Sequence, residues 1–429
     1  MKVLVIGSGG REHALVWKIK QSPLVREVFC APGNAGIALD GTCVDIAVDD
    51  LDGLIRFATE TRIDLTVVGP ELPLTLGIVD RFRERGLEVA GPLGELAKLE
   101  GSKAHTKSVL THAGVATAAY EVFTEAAPAK EYVRRQARSG THVVVKADGL
   151  AAGKGVVVCS SAEEAEAAID DCLVKKVFGA AGATVVIEEC LPGEEASFIV
   201  LTDGATVLPF PTSQDHKRLL DGDKGPNTGG MGAYSPAPVV TKDLEASVLT
   251  DVIHPTLETL LRMGPPYTGW LYAGLMIAGD TTNVLEFNVR MGDPETQPIL
   301  MRLQSDLVPA LVQLASGERL EVKLEWDPRP AVCVVMAAEG YPGTVAKGDV
   351  IHGLDAAARL ADVKVFHAGT ARRGSDIVTA GGRVLGVTAL GADLPAAIAR
   401  AYEAVSLITW RGAQHRTDIG RKALHSWER

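Results

Sequence analysis

Short apolar runs alternate with amphipathic stretches along the first hundred residues of the chain. The runs predict strands, and the stretches between them predict helices. The predicted strands cover residues 3–6, 28–31, 65–68 and 88–90, and the predicted helices cover residues 11–21, 51–61 and 74–85. This alternation favours a doubly wound parallel sheet with helices on both faces. We therefore predict an N-terminal Rossmann-like domain over residues 1–101.

The middle of the chain mixes helices and strands in a less regular order. Ser161 and Glu164 form a capping-box pattern that predicts the start of one helix. Residues 209–238 are rich in Gly, Pro, Asp and Asn, so we expect a long loop there without secondary structure, which is usually functional. Further helices are expected over residues 102–112 and 126–138, and strands over residues 120–123, 143–146, 156–159, 184–188 and 197–201.

The last part of the chain predicts a small separate domain. A Pro-containing linker at residues 327–330 is followed by short strands with Gly-containing turns and by a helix over residues 395–406. The linker is preceded by a helix over residues 244–261, strands over residues 271–277 and 284–288, and a helix from about residue 306. The chain is thus expected to be an α/β and α+β multidomain protein, with a second domain over residues 102–328 and a C-terminal α+β domain over residues 329–429.

Composition narrows the classes of function. The length of 429 residues suggests about three domains. The 43 Lys and Arg residues against 54 Asp and Glu residues give a net charge of −11, which disfavours nucleic acid as a partner. The longest apolar run, residues 331–338, is too short to span a membrane. The six cysteines form no C-x-x-C pair, so we expect no zinc site or disulfide framework, and a reducing, cytoplasmic location.

A glycine-containing loop follows the first predicted strand. The glycines within residues 7–10 let the backbone approach an anion, and a helix N-terminus beside them supplies amide donors. A dinucleotide fingerprint needs Gly or Ala where Glu12 stands. The loop favours a phosphate or sugar phosphate, while a dinucleotide site and a structural turn remain alternatives. Two more such loops, at residues 32–36 and 69–71, are expected at the same sheet edge.

A Gly- and Ala-rich segment with two lysines joins two predicted strands at residues 146–156. It lacks the spacing of a Walker A loop and leads into a strand instead of a helix. The loop at Gly153, Lys154 and Gly155 can fold over a triphosphate as a lid, with Lys146 on the sheet beneath it. The alternative is a solvent-exposed hairpin that carries a solvated lysine.

Polar residues alternate along the strand predicted at residues 284–288. Side chains of a strand alternate between faces, so Glu286, Asn288 and Arg290 share one face. Oxygen donors from Glu286 and Asn288 suit Mg²⁺, and Arg290 would lie beside phosphates. The alternative is a solvated polar face on an edge strand.

Two further segments, residues 212–218 and 227–232, combine charged residues with glycines. Their composition suits the binding of a second substrate. A surface loop without a ligand is the alternative, because loop chemistry alone does not distinguish the two.

Seven segments, taken in order, resemble the phosphoribosylamine–glycine ligase family of the ATP-grasp superfamily. The resemblance extends over the whole chain, and residues 212–218 and 225–236 are its most specific parts. The other segments are residues 7–14, 31–36, 68–71, 146–156 and 286–297. It implies that residues 1–101 bind substrate and that residues 102–328 form an ATP-grasp domain, with a lid subdomain at about 120–192.

The resemblance also implies an activity. ATP would drive the ligation of glycine to 5-phosphoribosylamine through glycyl phosphate, giving glycinamide ribonucleotide, ADP and phosphate in de novo purine biosynthesis. The cofactors would be ATP and Mg²⁺ or Mn²⁺. The partners would be these small molecules, with no nucleic acid and no membrane. A cytoplasmic monomer is implied, with at most transient contact with neighbouring purine-pathway enzymes.

The same resemblance assigns roles to individual residues. Glu286 and Asn288 would bind the metal, and Arg290, Lys217 and Asp215 would act in catalysis. Backbone groups of residues 188–191 would hold the adenine of ATP, and Glu195 would bind its ribose. The ATP site as a whole would comprise Lys107, Lys146, Gly153, Lys154, Gly155, Glu188, Glu189, Leu191, Glu195 and Asn227. Phosphoribosylamine and glycine would be contacted by Gly9, Gly10, Arg11, Glu12, Asn34, Glu71, Asp215, Gly230, Met231 and Asp293.

Three other functions compete with this interpretation. A dinucleotide-dependent oxidoreductase would explain the N-terminal glycines but not residues 146–156. A nucleotide-binding regulator without catalysis would not need Glu286 and Asn288. An ATP-grasp enzyme with another substrate, such as a carboxylase or a peptide ligase, is opposed only by the resemblance of the N-terminal domain and of the loop at Asp215.

Overall fold

A five-stranded parallel sheet organises the N-terminal part of the chain, as predicted. The computed structural model describes residues 1–151 and 155–427. In spatial order the strands are Thr42–Cys43, Glu27–Pro32, Lys2–Gly7, Leu65–Val68 and Val89–Ala90. The helices around it are Gly10–Lys20, Ile37–Asp40, Leu51–Thr61, Glu71–Thr75, Ile78–Arg83 and Gly94–Gly101. The carboxyl ends of the central strands therefore open onto one edge of the sheet.

The single helix predicted over residues 74–85 is wrong, because the structure has two shorter helices there. Gly77 separates them with a φ of +78°, a left-handed conformation that a helix interior does not accept. The first of the two begins at Glu71, which brings this carboxylate to the sheet edge.

The middle of the chain builds two antiparallel four-stranded sheets. The first has the order Tyr120–Phe123, Val185–Glu189, Val143–Ala147 and Val156–Cys159, and the second has the order Val207–Pro209, Glu194–Thr202, Gly269–Ala278 and Thr281–Asn288. The accompanying helices are Lys103–Ala113, Ala126–Arg138, Ala162–Ile169, Lys242–Val248 and His254–Met263, with π-helical turns at Asp170–Val174 and Leu249–Ile253 and a 3₁₀ turn at Gly179–Gly182. The two sheets face each other across a cleft.

Five helix starts follow ordinary capping chemistry. The side chain before the first turn accepts a hydrogen bond from a backbone amide of that turn. This holds for Asp50, Ser102, Ser161, Thr241 and Asp393. The helix start predicted at Ser161 is therefore confirmed, but its capping box is incomplete, because the Glu164 carboxylate accepts the amide of Ser160 and not that of Ser161. Ser102 fixes the start of the helix that carries Lys103 and Lys107.

The expectation of a structureless loop over residues 209–238 is wrong. The segment contains the short strands Gln214–Asp215, Arg218–Leu220, Lys224–Asn227 and Gly232–Ser235. Strand Gly232–Ser235 pairs with Ala331–Ala337, about a hundred residues further on. A strand formed by such distant pairing needs no local alternation of apolar and polar residues. The other three strands find partners within the segment but are too short to show a period.

The C-terminal sheet draws on both sides of the predicted linker. Its order is Gln214–Asp215, Gly232–Ser235, Ala331–Ala337, Arg383–Leu390 and Val363–His367. Its other elements are the hairpin Thr370–Arg373 with Asp376–Thr379 and the helices Leu354–Ala358, Leu394–Leu407 and Arg421–Trp427. The third domain is thereby attached to the loops of the second.

Helices Thr296–Arg302 and Val308–Ser316 lead from the second sheet to the linker. The first was not predicted, because nearly every residue in it is buried and its sequence shows no polar face. Apolar side chains of the N-terminal sheet, such as Leu4 and Ile6, share a core with Phe198 and Phe287 of the second sheet. The first two domains are therefore packed together at the site. Within the described part of the chain, no helix is long and apolar enough to cross a membrane.

Candidate active site

An irregularity in strand Thr281–Asn288 places the predicted metal ligands. Its pairing with the neighbouring strand shifts register between Gly274 and Leu275, which leaves Leu285 as an extra residue. Val284 and Phe287 consequently both pack in the core, although strict alternation would put them on opposite faces. The shift turns Glu286 and Asn288 together into the cleft.

The cleft lies between the two sheets of the middle domain and has a cavity volume of about 170 Å³. Its walls come from helix Lys103–Ala113, from the segment around Gly155 and from strand Thr281–Asn288. Lys107, Glu286, Asn288 and Arg290 all line it, so the structure brings these predicted residues together. Gly153 and Lys154 lie outside the described residues.

Two lysines in the cleft share one buried carboxylate. The Nζ atoms of Lys107 and Lys146 lie 3.0 Å and 2.8 Å from the two carboxylate oxygens of Glu188. Thr117 accepts a further hydrogen bond from Lys107 at 2.6 Å. Burial lowers the pKa of Lys107 to about 8, although Glu188 opposes the shift. Glu188 thus contributes its side chain here, whereas the resemblance implied backbone groups at this position.

Sequence reasoning missed Lys103, which lines the same cleft at the first position of its helix. Burial lowers the pKa of Lys103, and the charge of Glu286 partly compensates. The pKa of Glu286 is lowered: burial alone would raise it, but Lys217, Lys146 and Lys103 outweigh that effect. The helix start immediately after Ser102 could have indicated Lys103 as an anion-binding residue, because it presents backbone amide donors and a lysine together.

Arg290 joins the cleft to the N-terminal sheet edge. Its guanidinium contacts Glu71 at 3.2 Å and Glu100 at 2.5 Å, and it donates to the Asn288 side-chain oxygen at 3.1 Å. Glu100, which was not predicted, also accepts the Val289 amide. Burial raises the pKa of Glu100 to about 7. The pKa of Glu71 is instead lowered to about 2, because Arg290 and Arg11 outweigh the effect of burial.

A second cluster of charged side chains, formed by Lys217, Glu195, Asp215 and Glu295, lies beside Glu286. Lys217 forms an ion pair with Glu195, and both side chains are a little more than one third exposed. Burial raises the pKa of Asp215 to about 7, and nearby carboxylates including Glu295 add to the rise. Glu295, another residue that was not predicted, accepts the Tyr272 hydroxyl at 2.7 Å. The Lys217 ammonium group therefore lies near the Asp215 carboxyl group, whose pKa is close to neutral pH.

Glu12 fills the first glycine loop. Its carboxylate accepts the Gly9 amide at 2.6 Å and contacts Arg11 at 2.5 Å. A Cβ atom added at Gly69 would lie 2.2 Å from the same carboxylate, so the loops need glycine around it. This carboxylate occupies the space in which a dinucleotide fingerprint would receive a pyrophosphate, which opposes the oxidoreductase interpretation.

Asn34 ties that loop to the third domain. Its amide group donates to the carbonyls of Ser8 and His367 at 2.8 and 2.9 Å. Its side-chain oxygen accepts the amides of Gly36 and Ile37, each at 2.9 Å. All four bonds go to backbone atoms, so this side chain shapes the sheet edge.

The third domain also reaches the loop at residues 229–231. Arg383 contacts the Asp293 carboxylate at 3.1 Å and donates to the backbone carbonyl of Gly229. The Tyr341 hydroxyl accepts the Gly229 amide at 2.9 Å. Gly230 packs against the residue after Asp293, since a Cβ atom there would lie 2.5 Å from the Pro294 ring. Arg383 and Tyr341 were not predicted, because they are distant in sequence from every motif.

The remaining predicted residues occupy different surroundings. The Glu189 side chain accepts the Ala119 amide at 2.9 Å and does not line the cleft. Met231 is fully buried. Gly10 packs against Gln297, Asn227 ends a hairpin strand, and Leu191 follows the strand Val185–Glu189.

The donor set of the cleft fits a hard divalent cation with few protein ligands. Glu286 offers a carboxylate and Asn288 an amide oxygen from the same face of one strand. Within residues 1–151 and 155–427, no group of three or more His, Cys, Asp or Glu side chains could hold a metal ion. A metal at Glu286 and Asn288 would therefore need oxygen atoms from a bound ligand.

Two antiparallel sheets that face each other across a cleft with lysines, a Glu–Asn pair and an arginine define the ATP-grasp class of enzymes. A solved biotin carboxylase domain from Hydrogenobacter thermophilus shares this fold, with a TM-score of 0.74 at 17% identity over 96% of this chain and 91% of that chain.

Family models give the particular family. The models described as the N, ATP-grasp (A) and C domains of phosphoribosylglycinamide synthetase match residues 1–100, 101–296 and 331–422. The chain belongs to this family. It is 56% identical to the phosphoribosylamine–glycine ligase of Vibrio vulnificus strain YJ016, with 99% of both chains covered. The crystal structure of the Thermotoga maritima phosphoribosylamine–glycine ligase superposes with a TM-score of 0.83 at 33% identity, covering 97% of this chain and 100% of that chain.

Proposed function

We propose that the protein ligates glycine to 5-phosphoribosylamine, with cleavage of ATP to ADP and phosphate, and forms glycinamide ribonucleotide. The family and the names of full-length relatives support this activity. The observation that carries it is the cleft itself, where Lys107, Glu286 and Arg290 face one another next to the loops of the N-terminal sheet.

The chemistry needs two steps. The glycine carboxylate first attacks the γ-phosphorus of ATP, so that an O–P bond forms to give glycyl phosphate and ADP leaves. The amine of phosphoribosylamine then attacks the activated carbonyl carbon, and the C–O bond to phosphate breaks. Catalysis of the first step rests on positioning and on charge neutralisation, so no covalent protein nucleophile is required.

The triphosphate of ATP would lie between the two sheets. Lys103, Lys107 and Lys146 would contact its oxygens, exchanging Glu188 for phosphate as their counterion. Arg290 is a planar cation that can stabilise charge on the transferring phosphoryl group. The adenine contacts through residues 188–191, the ribose contact of Glu195 and the lid role of Gly153 and Lys154 stay predictions.

Mg²⁺ or Mn²⁺ would be held by Glu286 and Asn288. Such a cation, when bound, screens the negative charge of the phosphate oxygens. Asn288 accepts a hydrogen bond from Arg290, so the end of the strand and the residue just past it hold the amide oxygen next to the guanidinium.

The second substrate would lie where the N-terminal loops, Asp293 and the loop at residues 229–231 converge. Asp215 stands there with a pKa raised to about 7 by burial, so at neutral pH it can accept a proton from the attacking amine. Lys217 beside it keeps a positive charge near the acyl phosphate. Both roles are part of the proposal.

The test is ADP release with ATP and Mg²⁺ while phosphoribosylamine and glycine are added singly and together. We expect release that needs both, together with a product of the mass of glycinamide ribonucleotide. Release with a different acid and amine would leave the ATP-grasp chemistry and overturn the substrates. No release with any combination would favour a regulator that binds nucleotide without turnover.

A further inference from the structure

An exposed hairpin leads out of the proposed active site. It consists of strands Arg218–Leu220 and Lys224–Asn227, and it starts directly after Lys217. Residues 220–226 are all exposed, so no apolar side chain at the hairpin tip anchors it in a core. Its position must therefore be held by polar contacts.

Those contacts come from the C-terminal segment, residues 416–422. Arg416 donates to the Arg218 carbonyl at 3.1 Å and contacts the Asp223 carboxylate at 2.9 Å. The Thr417 amide donates to Asp221 at 2.8 Å. The remaining contacts are the Gly222 amide on Asp418 at 2.9 Å, and the ion pair of Lys422 with Asp223.

Arg416 is the centre of this contact. Its side chain is fully buried, and two further bonds of 2.7 Å join it to both carboxylate oxygens of Asp418. A guanidinium can satisfy two carboxylates and a carbonyl at once because its donors are arranged in a rigid plane. The Arg416 carbonyl in turn accepts the Tyr402 hydroxyl at 2.9 Å, which ties the segment to helix Leu394–Leu407.

Backbone hydrogen bonds connect the hairpin to the loops of the proposed active site. Three successive carbonyls, those of residues 216–218, each accept a hydrogen bond from a different partner. The Met231 amide donates to the first, the Thr228 amide and hydroxyl donate to the second, and Arg416 donates to the third, with bonds of 2.8, 2.8 and 3.1 Å respectively. Ile419 packs on the strand after this loop, since a Cβ atom at Gly232 would lie 2.7 Å from its side chain.

We propose that Arg416 is a positioning residue that, through the hairpin, holds Lys217 and the loop at residues 229–231 over the second substrate. It touches neither the substrate nor the reacting atoms. The proposal rests on the function proposed above and adds a role for the end of the third domain. It predicts that the acceptor side of the reaction depends on Arg416, while the ATP cleft does not.

The test compares Arg416→Gln with Arg400→Gln, whose arginine forms only an exposed ion pair with Glu403 on the same domain. We expect kcat/KM for phosphoribosylamine to fall about tenfold in Arg416→Gln, because small misplacements of reacting groups are costly. The Kd for ATP stays within about twofold, since the lysines of the cleft are untouched. Arg400→Gln matches the unmodified protein in both.

Hydrogen exchange separates this role from a general loss of stability. The amides of Thr228 and Met231 exchange faster in Arg416→Gln, while those of strand Val143–Ala147 keep their rates. If the unmodified protein makes no glycinamide ribonucleotide, the proposed function fails, and exchange still tests the positioning. Equal losses of ATP affinity and acceptor efficiency, or unchanged exchange at both amides, would overturn the inference.

A milder variant keeps the proposal testable if Arg416→Gln does not fold. Asp221→Ala removes the two contacts of Thr417 at the exposed hairpin tip and leaves Arg416 paired. It should lower kcat/KM for phosphoribosylamine in the same direction by about threefold, the loss expected for a net hydrogen bond of ordinary strength. An unchanged kcat/KM in this variant, with normal folding, would count against the proposal.

Discussion

The proposed nucleotide cleft and the proposed acceptor loops are held together by different kinds of bonds. The acceptor loops are the N-terminal loops at residues 7–10, 32–36 and 69–71 and the loop at residues 229–231. In the cleft, side chains of opposite charge meet directly, as Lys107 and Lys146 do on Glu188 and as Arg290 does on Glu100. The acceptor loops also contain the ion pair of Arg383 with Asp293, but side chains there bind the backbone of other segments as well, as the amide of Asn34 does four times. The first kind of contact is a pair of charges, and the second is a fixed connection between chain segments.

Because of this difference, a bound ligand can replace the ion-pair partners in the cleft, whereas it meets the acceptor loops in a preformed conformation. A buried lysine paired with a carboxylate can exchange that partner for a phosphate, because both are anions. Backbone carbonyls and amides that are already bonded to a side chain such as that of Asn34 offer no such exchange. We infer that ATP rearranges charge in the cleft, while the acceptor loops keep their shape, and four variants test this contrast.

Glu286→Gln should have the largest effect. It keeps the shape of the side chain and removes the carboxylate charge in the cleft. Loss of a metal ligand at a transferring phosphoryl group costs several kcal/mol, so we expect ligation to fall about a thousandfold. Steady-state ADP release over a range of Mg²⁺ concentrations measures it. Glu258→Gln, on the exposed face of helix His254–Met263, is the control. Normal activity of Glu286→Gln at low Mg²⁺ would remove Glu286 from the metal site.

Glu188→Gln should have the next largest effect, on stability. It leaves Lys107 and Lys146 buried without their carboxylate, and breaking a buried pair costs about 3 kcal/mol. The Tm without ligand should fall, and ATP should raise the Tm more than in the unmodified protein, because phosphate then supplies the missing anion. Thermal unfolding with and without ATP measures both.

An exposed glutamate of the same sheet supplies the control. Glu121 is exposed on strand Tyr120–Phe123 and does not line the cleft. The Tm of Glu121→Gln with and without ATP should match that of the unmodified protein. An ATP-induced rise that is the same in Glu188→Gln and Glu121→Gln would show that ATP does not take over the lysines.

Asp215→Asn comes third and lies at the border between the two regions. Only the ionised carboxylate accepts a proton, and burial raises the pKa of Asp215 to about 7. The kcat/KM of the unmodified enzyme should therefore rise with pH through about 7 and then level off. The variant should be about a hundredfold slower and should lose this dependence. Asp280→Asn, in an exposed turn, is the control, and a retained dependence in Asp215→Asn would assign the titration to another group.

Sequence patterns anticipated the part of the fold that depends on local contacts. The parallel order of the N-terminal sheet and the start of the helix at Ser161 follow from periodicity and capping, and both are confirmed. Within residues 209–238, strand Gly232–Ser235 pairs with a partner about a hundred residues away, which no local pattern shows, and the other strands are only two to four residues long. The domain limits of 1–101, 102–328 and 329–429 stay predictions.

In the candidate site, too, residues close together in sequence were predicted, and residues with distant partners were missed. Glu286, Asn288 and Arg290 line one cleft, as they were grouped, with the first two on strand Thr281–Asn288 and Arg290 two residues past its end. The extra residue at Leu285 left no trace in the alternation. Glu100 and Arg383 were missed because their partners are far away in sequence. Resemblance supplied the motifs, but a single chain does not reveal which distant side chains pack against them.

Asn34→Ala should have the smallest effect and probes the acceptor loops alone. It removes four hydrogen bonds to backbone atoms, including the one to His367 of the third domain, and puts no charge into the site. Each net hydrogen bond contributes about 1 kcal/mol, and backbone groups at this exposed edge recover part of it from water, so KM for phosphoribosylamine should rise about tenfold. The KM for ATP should stay the same, because no side chain of the cleft contacts Asn34. Asn283→Ala, on the strand that carries Glu286, is the control. A parallel rise in both KM values for Asn34→Ala would mean that loops and cleft move as one unit, and the contrast between exchangeable charges and fixed backbone contacts would then fail.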